Sequence, residues 1–183
     1  MVQILSLDDS QEMGELLGLL LNLAGYQHRW VADGQEALAI LRDEAVDLFT
    51  QDVMRPGIDG LGLYEALKAD EALAGLPVLF VTAGRRPEFA AECLARYGDG
   101  YLLKPFLVQD LLEAVAGVLA RHGKRPPAAG ERAAHYATLR PALMAQGGFT
   151  VEQMDALYGR VSSIVDRVSR SIVASMAAEG GAA

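Results

Sequence analysis

Residues 2–25 read VQILSLDDSQEMGELLGLLLNLAG, a stretch that sets the pattern for the first two thirds of the chain. A short apolar run over residues 2–7 ends at two aspartates. Ser10 follows with a side-chain oxygen that can cap a helix, and apolar residues then recur at helical spacing until Gly25. The stretch therefore predicts a buried strand that leads directly into a helix.

The same pattern of a strand followed by a helix recurs along the chain up to residue 123. Further strands are predicted over residues 26–32, 47–51, 77–81 and 100–103, with helical patterns after them at residues 34–41, 60–72, 87–97 and 108–121. Repeated strand–helix units predict a parallel sheet with helices on both faces, and right-handed crossovers leave few possible strand orders.

The composition excludes several classes of protein. Of 183 residues, 51% are apolar and 22% are charged, which is enough for a core without disulfides or metals. The net charge of −8 disfavours non-specific binding to nucleic acid or anionic membranes. The single cysteine, Cys93, excludes an intrachain disulfide. With no basic leader and no apolar run of membrane-spanning length, we expect a cytoplasmic protein without a membrane partner.

Charge is unevenly distributed along the chain. Residues 1–123 contain 9 Lys and Arg against 19 Asp and Glu, a net charge of −10, whereas residues 124–183 contain 7 against 5, a net charge of +2. The change falls beside two consecutive prolines, which cannot continue a helix. We therefore predict an α/β domain over residues 1–123, a linker over residues 124–130 and a helical region over residues 131–183.

Polar side chains follow the ends of the predicted strands. Asp8 and Asp9 come after the first strand, Asp52 after the third, Thr82 after the fourth and Lys104 after the fifth. In an open parallel sheet, these ends meet at one edge, where function gathers. Three carboxylates require a cation, and oxygen ligands favour Mg²⁺. The sequence thus predicts a magnesium site in which one aspartate acts as a nucleophile toward phosphorus.

Five motifs together resemble the receiver domain of two-component response regulators, over residues 1–123. They are LDDS at residues 7–10, ADGQEAL at 32–38, DVMRPGIDG at 52–60, VTA at 81–83 and YLLKPF at 101–106. The resemblance implies a flavodoxin-like, doubly wound sheet of five parallel strands. It also implies a histidine kinase or phosphotransfer protein as the partner that donates the phosphoryl group.

The resemblance assigns metal ligands by position. Asp8 and Asp9 resemble the acidic pair of the family, with Asp9 as the direct Mg²⁺ ligand beside Asp52. The backbone carbonyl of Met54 would be the third protein ligand.

The resemblance also assigns the groups that handle the phosphoryl group. Asp52 would be the phosphoacceptor, Lys104 would pair with the phosphoryl oxygens, and Thr82 would donate a hydrogen bond to them. Tyr101 resembles the switch aromatic, which turns inward when Thr82 moves. Phosphorylation would then bias the nearby loops between two arrangements.

The region after the linker is predicted to form a helical hairpin with a break at Gly147 and Gly148, and Pro141 is expected to kink or break its first helix. The second helix carries an apolar stripe at spacings of three and four residues: Val151, Met154, Tyr158, Val161, Val165, Val168 and Ile172. Since a long apolar stripe needs a cover, we expect a homodimer formed through these helices. Packing back on residues 1–123 is the alternative.

These patterns indicate a response regulator of a phosphorelay, a phosphoacceptor and not an enzyme, which signals through a helical region that does not bind DNA. The alternative is a DNA-binding transcriptional regulator with a C-terminal helix-turn-helix, although basic residues are few. A hydrolase of the related phosphoaspartate type is disfavoured, because Met54 stands where its second acid would lie. His135 is expected to be an ordinary exposed histidine, not a site of phosphorylation.

Overall fold

Five parallel strands form the central sheet, in the order β2-β1-β3-β6-β7. The computed structural model describes residues 1–55, 58–83 and 99–180. Within them the strands are β1 (Gln3–Leu7), β2 (Gln27–Val31), β3 (Leu48–Gln51), β4 (Met54–Arg55), β5 (Ile58–Asp59), β6 (Val78–Thr82) and β7 (Gly100–Leu103). The two short strands β4 and β5 form a separate antiparallel pair.

Helices flank this sheet and continue beyond it. They are α1 (Gln11–Leu23), α2 (Gly34–Asp43), α3 (Gly60–Ala69), α4 (Val108–Arg121), α5 (Ala129–Ala145) and α6 (Val151–Gly180). The strand order and the flanking helices confirm the predicted doubly wound, flavodoxin-like α/β fold followed by C-terminal helices. The helix predicted over residues 87–97, together with Cys93, lies outside the described residues.

Two helices begin at side-chain caps, of which Ser10 was predicted and Asp33 was not. The Ser10 hydroxyl accepts a hydrogen bond of 3.2 Å from the backbone N–H of Met13 at the start of α1. The Asp33 carboxylate accepts bonds of 2.8 and 3.0 Å from the N–H groups of Gln35 and Glu36 at the start of α2. These oxygens satisfy donors that the first turn of a helix leaves free. Both caps lie in the short turns that connect β1 to α1 and β2 to α2, at the edge of the sheet where these strands end.

Alternation along the strands divides the core into two clusters, one on each face of the sheet. Ile4 and Leu48 pack with side chains of α1 and α4. Leu5 and Phe49, their neighbours in sequence, pack with side chains of α2 and α3. This is the pattern of a sheet buried on both faces, in which successive side chains point to opposite sides.

The C-terminal helices α5 and α6 form an antiparallel hairpin that packs on the sheet domain. Met154, Val161 and Val165 of α6 and Tyr136 of α5 belong to the same buried cluster as the side chains of α1 and α4. The hairpin therefore extends the core on that face of the sheet. The division of the chain at residues 123 and 130 stays a prediction, and α5 begins at Ala129, two residues before the predicted start.

Four residues of the apolar stripe on α6 have their cover within the same chain. Met154, Val161, Val165 and Val168 are each at most 4% exposed. The sequence predicts a homodimer because the stripe is expected to need a cover from a second chain. For these four residues that expectation is wrong. The alternative, in which the helices pack back on residues 1–123, describes this arrangement. A homodimer accordingly has no support from the stripe.

Arg132 joins the hairpin to the sheet domain and is itself 1% exposed. Its guanidinium donates 2.6 Å to the Pro127 carbonyl and 3.1 Å to the Ser162 hydroxyl, and it pairs with the carboxylate of Asp166. Its stem lies against Gly25, where an added Cβ would come within 2.7 Å of the Arg132 Cγ. Gly25 has a φ of +87°, a conformation that glycine adopts without strain.

Hydrogen bonds fix the connection that was predicted as a linker. Lys124 pairs with Asp47 at 2.9 Å, just before β3. The two terminal guanidinium nitrogens of Arg125 each donate a hydrogen bond of 2.8 Å to the Glu131 carboxylate. That carboxylate also accepts a hydrogen bond of 2.7 Å from the N–H of Ala128. These contacts hold the start of α5 close to the sheet domain. The segment therefore orients the hairpin.

Pro141 lies inside α5, which continues through it to Ala145. Of the predicted kink or break at this proline, the break is therefore wrong, and the kink stays a prediction. A proline removes the hydrogen bond to the residue four positions earlier. The chain breaks between α5 and α6 at Gly147 and Gly148, as predicted, and these glycines have φ of +79° and +89°.

Candidate functional site

Three aspartates meet at the carboxyl edge of the sheet. Asp8, Asp9 and Asp52 each offer a carboxylate oxygen, and these oxygens all lie within 4.8 Å of one another. Asp8 is 3% exposed and Asp52 is 6% exposed, whereas Asp9 is exposed to solvent. The site is thus open on the side of Asp9, the residue predicted to contact Mg²⁺ directly.

Strand pairing brings these aspartates together. The N–H of Asp52 donates 3.1 Å to the carbonyl of Leu7, at the end of β1. The N–H of Asp8 donates 3.2 Å to the carbonyl of Val31, at the end of β2. Because β1 lies between β2 and β3, the ends of all three strands come to one point. The predicted convergence of the strand ends is therefore observed for β1 and β3, and the end of β2 joins them.

Lys104 bridges two of the carboxylates. Its Nζ lies 2.5 Å from Asp8 Oδ2 and 2.7 Å from Asp52 Oδ2. Burial by itself would lower the pKa of the Lys104 ammonium, but its hydrogen bonds and charge interactions with Asp52 and Asp8 prevail and raise that pKa. The ammonium therefore stays charged and offsets part of the negative charge of the cluster. The peptide bond that joins it to Pro105 is cis.

Thr82 ends β6 beside this cluster, and its carbonyl accepts 2.9 Å from the N–H of Lys104. The residue is fully buried, and its hydroxyl has no hydrogen-bond partner among the described residues. Buried hydroxyls normally have a partner. A buried hydroxyl with no partner among the described residues, in the residue whose carbonyl bonds Lys104, is suited to bond an oxygen atom that enters the site.

The two remaining predicted residues are Met54, which follows Asp52 in the chain, and Tyr101, which precedes Lys104. Met54 begins β4, two residues after Asp52, so its backbone carbonyl stays a predicted ligand. Tyr101 lies in β7 opposite Phe80 of β6 and packs against the cluster formed with α2 and α3. Its role as a switch stays a prediction.

Trp30 contacts the site but was not among the predicted residues. Its indole N–H donates 2.9 Å to the backbone carbonyl of Asp8. The register of β2 against β1 places Trp30 opposite Ser6, two residues before Asp8. Period-two counting along β2 would have placed Trp30 on the α1 face, but no sequence signal indicated its reach to the acidic turn.

A buried polar chain runs across the sheet under α1. The Thr50 hydroxyl donates 2.7 Å to the Ser6 hydroxyl, which lies 2.8 Å from His28 Nε2. Thr50 is an unusual polar residue in a central strand, and this chain gives its hydroxyl a partner. Burial lowers the pKa of His28 from 6.5 to about 4, so the imidazole is neutral at pH 7. Thr50 stands two residues before Asp52 in β3.

His135 does not lie at the site. It belongs to α5 and is 9% exposed, which contradicts the expectation of an exposed histidine. Its Nε2 has no hydrogen-bond partner among the described residues, and burial lowers the pKa of the ring despite a hydrogen bond to the Tyr26 backbone. A histidine in this position is closed to a partner protein. The structure therefore gives no support to His135 as a site of phosphorylation.

The donor set at the strand ends fits a hard divalent cation such as Mg²⁺. All the side-chain donors in the cluster are carboxylate oxygens, which Mg²⁺ prefers, and the exposed Asp9 leaves room for the waters that the ion retains. Lys104 compensates part of the charge of the other two carboxylates. A cation beside Asp9 would offset the negative charge that remains.

Comparison with known proteins agrees with the geometry. The family described as "Response regulator receiver domain" matches residues 4–116. The chain belongs to this family. Receiver domains are phosphoacceptor signalling domains of two-component systems, and the family binds Mg²⁺ at an acidic pocket. The match ends within α4, before the hairpin.

Curated relatives share this receiver region. The chain is 33% identical over 129 residues to the DNA-binding dual master transcriptional regulator RpaA of Synechocystis, covering 70% of this chain and 54% of that protein. It is 32% identical over 120 residues to the phosphate regulon transcriptional regulatory protein PhoB of Pseudomonas aeruginosa, covering 66% and 52%. The chain thus spans about half the length of the curated relatives it matches.

A solved receiver structure has the same fold. The chemotaxis response regulator CheY4 of Vibrio cholerae superposes with a TM-score of 0.59 at 31% identity, covering 64% of this chain and 98% of that one. Nearly the whole of CheY4 therefore aligns with about two thirds of this chain. Among the described residues, none of the helices combines the length and apolar character needed to span a bilayer.

Proposed function

We propose that this receiver domain accepts a phosphoryl group on Asp52 from a histidine kinase or phosphotransfer protein, and that the α5–α6 hairpin carries the signal onward. The observation that carries the proposal is the contact of Lys104 with Asp52 beside the acidic cluster, at the edge of the sheet where β6 ends in Thr82. The Thr82 hydroxyl is buried and has no hydrogen-bond partner among the described residues. This arrangement has a nucleophile, a cation and a hydrogen-bond donor for one phosphoryl group.

The transfer is a displacement at phosphorus. A carboxylate oxygen of Asp52 attacks the phosphorus, the bond from phosphorus to the donor's imidazole nitrogen breaks, and the electron pair stays on that nitrogen, which takes up a proton. The Lys104 ammonium, now 2.7 Å from Asp52, moves to the phosphoryl oxygens. The Thr82 hydroxyl donates a hydrogen bond to one of them. Asp8 and Asp9 would hold Mg²⁺, which supplies positive charge against the transferring group.

Labelling with acetyl phosphate and Mg²⁺ tests this proposal. Wild-type protein is expected to gain one phosphoryl group per chain, measured by intact mass, and Asp52→Asn is expected to gain none because the attacking oxygen is lost. Asp43→Asn, which changes an exposed carboxylate at the end of α2, is the matched control and should label as wild type. Equal labelling of Asp52→Asn and wild type would refute Asp52 as the acceptor.

The hairpin is proposed as the output element because of its position. It packs against α1, which starts directly after the acidic turn, and against α4, which follows Lys104 by four residues. A change at either helix therefore reaches the hairpin through direct contacts. The proposal needs no homodimer, since Met154, Val161, Val165 and Val168 of the apolar stripe are buried within the same chain.

A DNA-binding regulator is the second candidate, and two observations favour it. The curated relatives include DNA-binding transcriptional regulators, and α6 exposes Arg160, Arg167 and Arg170, which form no ion pair with a described residue. Against it, α5 and α6 run antiparallel, whereas a helix-turn-helix crosses at roughly 90–120°. Fluorescence anisotropy with duplex DNA separates the candidates. Sequence-specific binding that survives physiological salt would favour DNA binding.

A further inference from the structure

Trp30, the single tryptophan of the chain, holds the peptide that links the two acidic residues at the start of α1. Its Nε1–H donates 2.9 Å to the Asp8 carbonyl, which belongs to the peptide bond between Asp8 and Asp9. A donor fixed at this point sets the plane of that peptide. The direction in which Asp9 leaves the backbone follows from that plane.

Three other hydrogen bonds hold the same turn but leave this peptide free. The N–H of Asp8 bonds the carbonyl of Val31, the N–H of Ser10 bonds Asp8 Oδ1 at 2.9 Å, and Lys104 bonds Asp8 Oδ2. Each of them fixes Asp8 or Ser10. Among the described residues, the Trp30 indole is the group that donates a hydrogen bond to the peptide between Asp8 and Asp9. The exposed Asp9 carboxylate makes no hydrogen bond to another described residue, so its position depends on the backbone.

The packing around the indole keeps it in place. Gly14 is the fourth residue of α1 and is buried, and a Cβ added there would clash with the Trp30 ring. Glycine inside a helix costs about 0.5–1 kcal/mol relative to alanine. The helix therefore carries a destabilising residue at the position where the indole needs space. The close approach of the Trp30 ring to Gly14 is a second observation that the ring occupies a defined position.

We propose that Trp30 is a positioning residue for divalent-cation binding, which acts by fixing the Asp8–Asp9 peptide so that the Asp9 carboxylate stays with those of Asp8 and Asp52. The inference rests on the proposed function for the identity of the ion, Mg²⁺. It concerns binding of the ion and requires no phosphoryl transfer. It also makes Trp30 a reporter, because indole emission responds to a change of charge close to the ring.

Calorimetric titration with Mg²⁺ alone tests the inference. Trp30→Phe keeps an aromatic ring but removes the N–H donor, and we expect its Kd for Mg²⁺ to rise about tenfold, the low end of the effect for groups that orient a ligand. Gly14→Ala displaces the ring without changing it and should raise the Kd in the same direction. Arg29→Ala, a change on the exposed face of the same strand, is the control and should leave the Kd unchanged.

Two further measurements separate positioning from a general loss of structure. Urea unfolding in EDTA reports the folding of each variant without the ion. Acetyl phosphate labelling of Trp30→Phe should be slow at low Mg²⁺ and return toward the wild-type rate at saturating Mg²⁺, which a damaged fold would not do. An unchanged Kd in both Trp30→Phe and Gly14→Ala overturns the inference, and so does a labelling defect that excess Mg²⁺ leaves in place.

The emission of wild-type Trp30 gives an independent arm of the test. Titration with MgCl₂ should change the emission along a saturating curve, and Asp9→Asn should abolish that change. No saturable change in wild type would overturn the inference. If Mg²⁺ binds as expected but acetyl phosphate fails to label Asp52, the proposed function fails while the role of Trp30 stands.

Discussion

Replacing Arg132 with Ala is expected to lower the free energy of unfolding by about 3 kcal/mol. The change removes a guanidinium that is 1% exposed, together with its bonds to Pro127 and Ser162. It also leaves a cavity under Gly25, where the Arg132 stem now lies. The charge left on Asp166 is 45% exposed and costs less, because water reaches it. Urea unfolding at pH 7 measures the difference.

A matched variant distinguishes the buried arginine from a surface one. Arg140 also pairs with an aspartate of α6, Asp155, at 2.8 Å, but both side chains are more than a third exposed. Surface pairs contribute about 0.2–1 kcal/mol, so Arg140→Ala should cost no more than that. If Arg132→Ala costs no more than Arg140→Ala, the account of Arg132 as the join between hairpin and sheet domain is wrong.

Lowering the pH from 7 to 4 should destabilise the protein by about 3 kcal/mol through His28 alone. Burial lowers the pKa of His28 to about 4 in the folded chain, while the unfolded chain has an ordinary value of 6.5. Between these values the unfolded state binds the proton more tightly. The stabilisation is therefore complete above about pH 6.5 and is lost as the pH falls toward 4.

The variant His28→Gln isolates this contribution, because glutamine retains a hydrogen-bonding group near Ser6 but does not titrate. Urea unfolding of wild type and variant is compared at pH 7 and at several values down to 4. The stability difference between the two proteins should move in favour of the variant by about 3 kcal/mol across this range. A difference that stays constant with pH would mean that His28 has no depressed pKa.

The sheet and most of the candidate site were predictable because both depend on local patterns. Each apolar strand ends at a polar residue, and parallel strands bring those ends to one edge, so Asp8, Asp52 and Lys104 meet without further information. The family motifs added the roles expected of them. Trp30 was missed because its contact depends on the register between β1 and β2, which periodicity leaves open.

The placement of the hairpin was harder to predict for a physical reason. The spacing of Met154, Val161 and Val165 shows that one face of α6 needs a cover, but the hydrophobic effect has no direction and does not specify which surface provides it. Beside the apolar packing, the described contacts between this surface and the hairpin or its connection include the Arg132 stem against Gly25 and the pair of Lys124 and Asp47. In the sequence, Arg132, Lys124 and Asp47 are ordinary charged residues.

The acceptor role of Asp52 is tested most directly by locating the phosphoryl group. Wild-type protein labelled with acetyl phosphate and Mg²⁺ is reduced with borohydride, which converts an acyl phosphate on aspartate to homoserine, and the peptides are sequenced by mass spectrometry. The account predicts homoserine at position 52 and unchanged aspartate at positions 8 and 9. Homoserine at position 8 or 9, or a phosphoryl group retained on His135, would contradict it.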